Sequence, residues 1–270
     1  MKLFRYVFIF VFITCGMVLK AGTPVNEFCT LRNRAYQAGE QLSFTVYYAV
    51  AGIFVNAGTA VFNSNLERLN GKPVYHITAD GKTNSSYDWI YTVRDKYESY
   101  IDTANMLPMK FIRNVHEGDY KKYENVAFNR VANSAVTSNG VYKVPPCVQD
   151  VISAMYYARN INFSHYKPGD RIPFTLFLDN EVYNMYIRYL GKETIRTRYG
   201  RFNAIKFKPL LLKGSIFYGG EKMTVWVSDD ANHIPVRVES PISVGSVKVD
   251  MMGYRNLRYP LTSLRNLRGN

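Results

Sequence analysis

The sequence predicts a mainly β (α+β) fold: curved antiparallel sheets or a half-barrel, made of two diverged repeats with a helix between them near 147–159. Three observations predict it. Leu42, Phe44, Val46 and Tyr48 alternate with Ser43, Thr45 and Tyr47, a period of two that sends successive side chains to opposite faces of a strand. Two pairs of segments recur at almost the same offset. A single stretch after Pro145-Pro146 switches to helical spacing. The 22 Tyr and 16 Phe agree with the β class, because flat rings pack well on pleated surfaces.

Taken in order, residues 1–21 read as a secretory leader. Lys2 and Arg5 precede an apolar run from Tyr6 to Leu19, and Ala21 and Gly22 offer small residues for cleavage. The run falls short of the roughly 20 residues that a spanning helix needs. Cys15 offers an alternative, acylation and lipid anchoring, but Phe12, Ile13 and Thr14 match the small residues of such a signal poorly. Residues 22–270 then read as one β-rich domain with two related halves, about 36–130 and 166–254, and a basic tail, 255–270.

No charged side chain falls between Gln41 and Leu66, which predicts a core hairpin, or alternatively a surface facing an apolar ligand. A short helical turn is expected at Ser85 or Ser86, capped by the hydroxyl. The segment RDKYESYID, 94–102, reads as a strand with an exposed charged edge, and HEGDYKKYE, 116–124, as a polar hairpin tip. Val148, Val151, Ile152, Met155 and Tyr156 then fall on one helical face. Pro145-Pro146 are expected in the first turn of that helix, with Asp150 near its positive end. Residues 183–190, 202–207 and 223–227 are further strands, and glycines punctuate the runs as turns or bulges.

The repeat is read from two alignments. DTANMLPMKF from Asp102 matches DDANHIPVRV from Asp229 without gaps, and GEQLSFTVYY from Gly39 matches GDRIPFTLFL from Gly169. The shared residues, Asp102, Asn105 and Pro108 against Asp229, Asn232 and Pro235, are those a turn between strands wants. Asp and Asn bond their own backbone, Asn tolerates a positive φ, and Pro can begin a strand. The acidic corner at Asp229-Asp230 and His233 is therefore read as a connector used twice rather than as a catalytic centre.

No pattern calls for a cofactor or a metal. Gly81-Lys82-Thr83 ends like a phosphate loop, but His76 stands where its first glycine belongs. The four histidines, His76, His116, His165 and His233, are scattered, and no Gly-x-Ser-x-Gly elbow exists. Asp95, Glu98 and Asp102 supply carboxylates without a facing pair, so a hydrolase of envelope polymers is the weakest of three readings.

The formal charge is +13, with Lys2, Arg5 and Lys20 in or beside the leader. That excess suits anionic surfaces and not, in an exported protein, nucleic acid. Cys29 and Cys147 are the cysteines left beyond the leader, and an oxidising compartment would join them in one disulfide. In the tail, Arg255, Arg258, Arg265 and Arg268 alternate with Leu257, Tyr259, Leu261, Leu264 and Leu267 and include no acid. The tail reads as a loosely ordered end, or alternatively as a segment touching anionic membrane.

The turn at Gly39-Glu40, Ala57-Gly58, VRDKYESYID at 93–102, VQDVISAMYYAR at 148–159 and VWVSDDANHIPVRVE at 225–239 together resemble a bacterial exported family, domain of unknown function 3108. The resemblance spans nearly the whole mature chain and implies export and a β-rich fold. The strand–Asp turn–Pro-led strand unit is also similar, as a pattern, to the periplasmic lipoprotein carriers of the LolA/LolB type, whose curved half-barrel encloses helices and an apolar cavity. The leading expectation is an exported, non-catalytic envelope module in the periplasm or at the outer-membrane periphery, binding a lipid or other apolar ligand through a face including Phe54, Trp89, Tyr91, Met155, Tyr156 and Trp226. A structural or assembly protein of the envelope is the alternative.

Overall fold

A computed structural model describes residues 31–50, 53–89, 91–212, 219–242 and 245–267. The first half is a run of antiparallel strands: β1 (Gln41–Val50), β2 (Ile53–Leu69), β3 (Lys72–Thr83), β4 (Arg94–Asp102), β5 (Pro108–Glu117), β6 (Tyr120–Asn129), β7 (Ser134–Thr137) and β8 (Gly140–Lys143). After α1 (Val151–Ala158), the second half repeats the arrangement with β9 (Arg171–Leu178), β10 (Glu181–Arg196), β11 (Gly200–Pro209), β12 (Thr224–Ser228), β13 (Pro235–Pro241) and β14 (Ser246–Arg255). β15 (Leu264–Leu267) closes the described chain.

Within each meander every strand pairs with its neighbour in sequence, and the two meanders join where β1 pairs with β14. The result is one large, open, curved antiparallel sheet that is not closed into a barrel. β8 and β9 form its two edges. Exposed edges invite pairing with other chains, and here the β9 edge is covered by Gln149, whose N–H donates to Thr175 O and whose carbonyl accepts from Phe177 N, both at 2.9 Å. The β9–β10 turn also reaches the first meander. Arg113 of β5 pairs with Asp179, Asp179 N donates to Glu124 Oε1 at 3.1 Å, and Thr137 Oγ1 meets Asn180 Oδ1 at 3.0 Å.

The sheet encloses α1. Ile152, Tyr156 and Tyr157 are buried in one apolar cluster with Ile77, Ile101 and Phe111 of the first meander and Ile172, Ile187 and Ile205 of the second. The helix thus fills the centre of the concave face. Its start is fixed by Asp150, whose side chain accepts from Ser153 N while Ser153 Oγ accepts from Asp150 N, both at 2.8 Å. This is a capping box in which Ser takes the part of the usual Glu or Gln. Pro145-Pro146 do not enter the first turn. They lie ahead of it, and Gln149 has by then already paired with β9. The turn at Ser85–Tyr87 is a 3-10 helix, but no side chain caps it.

A second, outer cluster lies against the opposite side of β11 and adjoins the first along β2, where Phe62 packs against both. On β11, Ile205 belongs to the inner core and its neighbour Ala204 to the outer one, so the strand is covered on both sides. Leu42, Phe44, Phe202, Trp226, Val236 and Met251 form the outer cluster, and Leu257, Leu261 and Leu264 pack against it. Residues 255–267 of the expected tail are therefore not loose. Residues 256–267 run back across the fold as a strap and end as β15 on β11.

A buried ion pair ties these layers together. Arg159, just past α1, makes a bidentate contact with Glu40 at 2.6 and 2.9 Å and donates through Nε to Asn232 O at 3.1 Å. Its guanidinium lies 5.4 and 5.2 Å from the ring centres of Tyr36 and Tyr156. Two charges out of water persist only when hydrogen bonds satisfy them, and these do.

Candidate functional site

Tyr47 of β1, Lys248 and Asp250 of β14 and Arg237 of β13 form the floor of an open cleft of about 390 Å³. Sheet register sets their positions. Tyr47 pairs with Lys248, and Asp250 pairs with Arg237, so the rows lie side by side. The wall is the β10–β11 hairpin tip, Arg196, Thr197 and Arg198, and Phe54 of β2 completes the rim. Thr197 pins the tip: its Oγ1 accepts from Tyr199 N and Gly200 N at 3.2 Å, and its N–H donates to Gly200 O at 2.8 Å.

The cleft is cationic with aromatic surfaces. The Arg198 guanidinium lies 4.4 Å from the Tyr47 ring centre, and the Lys248 ammonium 4.3 Å from that of Phe54. Arg237 holds the buried Asp250 at 2.6 and 2.8 Å. Burial would lower the pKa of Arg237, but the hydrogen bonds and charge of Asp250, aided by Glu239, raise it. The acid is thus neutralised within the floor. Glu239 stands 3.6 Å from Lys248, and among the described residues no ion pair engages Arg196 or Arg198. Two exposed guanidinium groups lining the cleft, that of Arg198 over the Tyr47 ring, suit a phosphate or carboxylate attached to an apolar body.

The six residues expected to form one apolar ligand face are not all brought together. Phe54 lines the cleft, whereas Trp89 and Tyr91 sit on the β3–β4 loop. Met155 lies on the outer side of α1 and Tyr156 in the inner core. Trp226 is in the outer core, donating to Glu193 Oε1 at 2.6 Å. The cleft cations escaped sequence reading because they are far apart in the chain. The one local signal was the arginine-rich tip, Arg196-Thr197-Arg198-Tyr199-Gly200-Arg201.

Both repeated motifs lie between strands, β4 and β5 in one half and β12 and β13 in the other, and their chemistry differs from the expectation in detail. Asp102 Oδ1 accepts from Ala104 N at 2.8 Å and Asn105 Oδ1 from Leu107 N at 2.9 Å. The left-handed residue is Met106, with φ 63°, rather than Asn105; its counterpart His233 has φ 43°. Ile101 pairs with Pro108 and Val227 with Pro235, so the second turn is one residue longer, and the backbone-bonding role of Asp102 passes to Asp230. Asp229 instead accepts from Lys192 at 2.8 Å.

The acidic corner receives the strap. Asp230 Oδ2 accepts from Ser263 N at 3.1 Å, and the buried Asn232 side chain accepts from Tyr259 N and donates to Tyr259 O, both at 3.0 Å. His233 donates through Nδ1 to Arg159 O at 2.7 Å, and burial lowers its pKa. Asp95 and Glu98 lie on opposite faces of β4, an interior strand and not an exposed edge. Glu98 meets His76 at 2.8 Å, while Asp95 accepts from His116 N at 3.0 Å. Residues 1–21, expected to be a leader, and Cys15 and Cys29 lie outside the described residues. Among the described residues no helix is long and apolar enough to cross a membrane.

The fold resembles that of a β-barrel-like protein of domain of unknown function DUF1849 from Brucella abortus, with a TM-score of 0.55 at 9% identity over 82% of this chain and 99% of that one. A protein of Bacteroides fragilis with a YmcC-like fold gives a TM-score of 0.37 at 12% identity, over 84% of this chain and 99% of that one. No curated protein has a matching sequence. The family profile for DUF3108, described as a protein of unknown function, matches residues 43–252. That span runs from β1 to β14 and holds the cleft and both turns, and the chain belongs to the DUF3108 family.

Proposed function

We propose that the protein is an exported, non-catalytic binding module of the cell envelope whose ligand is an amphipathic anion, a lipid with a phosphate or carboxylate headgroup. The carrying observation is the cleft, where Arg196 and Arg198, without acidic partners among the described residues, share the lining with Tyr47 and Phe54. Its volume, about 390 Å³, falls in the range of ligand sites of roughly 300–1,000 Å³. The concave face, by contrast, is occupied by α1, which supports a ligand site outside the half-barrel. The leader-like start and the +13 charge support export and anionic company. The matched strand order and paired turns support reading the two halves as diverged copies of one unit.

The test is native mass spectrometry with short-chain phosphatidylglycerol, short-chain phosphatidylcholine and glycerol phosphate. The first should bind best, and Arg196→Ser/Arg198→Ser should weaken it about tenfold or more, since a hydrogen bond to a charged group contributes on the order of 1.5–3 kcal/mol. Both arginines are exposed, so the variant should melt with the wild type. Equal binding of glycerol phosphate would remove the acyl part from the proposal, and equal binding by the variant would overturn the cleft as the site.

We also propose that Cys147 pairs with Cys29. Alkylation of exported protein without reductant should label neither, and full labelling would refute the pairing.

A further inference from the structure

In an antiparallel meander alternate turns gather at one end. The β1–β2 turn, the β3–β4 loop and the β5–β6 turn therefore share an end of the sheet. That end is apolar. Ile53 is 69% exposed, Phe54 47%, Trp89 82%, Tyr91 39% and Tyr120 44%. Large apolar side chains exposed singly need no explanation, but five along one rim mark a surface that meets something.

The rim is fixed in place. Asn84 Nδ2 donates to Asn56 O at 2.9 Å, tying the loop to β2. Gly118 N donates to Thr92 O at 2.8 Å, tying it to the β5–β6 turn. Trp89 bonds through Nε1 to Ser86 O at 2.9 Å, which turns the indole edge inward and leaves most of the ring in solvent. Phe54 belongs to both the rim and the cleft, so the apolar rim runs into the cationic site.

We propose that this rim docks on a lipid bilayer containing anionic lipid, and that docking brings the cleft onto a headgroup still in the membrane. The proposal rests on the cleft reading above and names its setting. The charge complementarity of Arg196 and Arg198 selects an anionic bilayer, and tryptophan and tyrosine, apolar at one end and polar at the other, suit its interface. The basic tail, expected to make such a contact, is not the docking segment: its leucines and backbone are spent on the outer core and the acidic corner.

The chain's two tryptophans provide the readout, since Trp226 is only 8% exposed and responds little. Vesicles of phosphatidylcholine with phosphatidylglycerol should shift the fluorescence to the blue and protect it from acrylamide, and Trp89→Phe should abolish both effects. Ile53→Ser/Trp89→Ser should lose several-fold in vesicle co-sedimentation while short-chain phosphatidylglycerol still binds. An unchanged acrylamide response with vesicles, or undiminished co-sedimentation of the double variant, would overturn docking. So would a rim that binds a protein partner and not vesicles. Loss of short-chain binding in the arginine variant alone, with Trp89 still protected, would separate the cleft from the rim.

Discussion

Glu40 and Arg159 sit 119 positions apart in sequence yet share two short hydrogen bonds in the middle of the molecule. Removing one partner strands the other charge in the core. Glu40→Gln should therefore cost about 3–5 kcal/mol in urea unfolding. Glu40→Gln with Arg159→Met should lose less than the two single changes summed, and strict additivity would show that the pair is not coupled. Asp150 raises a different issue. Burial pushes its pKa up to about 6 against the hydrogen bonds from Ser99 and Ser153, and burial likewise raises Asp95 to about 6. A native acid that holds its proton more tightly than the unfolded chain stabilises most below the unfolded value, and that contribution is lost as pH rises through about 6. Asp150→Asn keeps the cap acceptor and should flatten part of the decline in stability between about pH 4 and 6, whereas an unchanged profile would refute the shift. Asp150→Ala loses the cap and should cost about 0.5–2 kcal/mol at any pH.

Among the elements, the strap carries the sharpest expectation. Deleting residues 256–270 would bare the outer cluster beneath Leu257, Leu261 and Leu264 and leave Asn232 Oδ1 and Asp230 Oδ2 without their partners. A loss of about 3 kcal/mol or more follows from the buried apolar area and the orphaned oxygens together. An unchanged melting temperature would mean the strap is ornamental. Strands and turns were legible in the sequence because they rest on local chemistry: period-two alternation for β1, Asp-x-Ala-Asn before Pro for both connectors. The helix was legible by its spacing, but its start was not, because Pro145-Pro146 imitate a first turn while the chain is still pairing Gln149 with β9. The strap was misread since Arg and Leu in alternation look alike whether the leucines face lipid or a second core.

At the scale of the whole molecule, the mainly β class and the helix between two meanders could be inferred from the sequence, and the cleft could not. Tyr47, Arg198, Arg237 and Lys248 come together only because β1 pairs with β14 and the β10–β11 hairpin reaches across to Tyr47, relations that no short window contains. The same holds for the ion pair of Glu40 and Arg159.

The pairing of β1 with β14 also sets the order in which the fold can be completed. Phe44 must wait for Met251, so the seam of the sheet is among its last contacts to become available during synthesis or threading. Until then β1 presents a bare row of N–H and C=O groups, the kind of template on which a neighbouring copy can build. Contacts of such long sequence separation also make folding slow. A chain of this topology depends on being shielded until its last long strand arrives, and a truncation before residue 246 should aggregate rather than merely unfold.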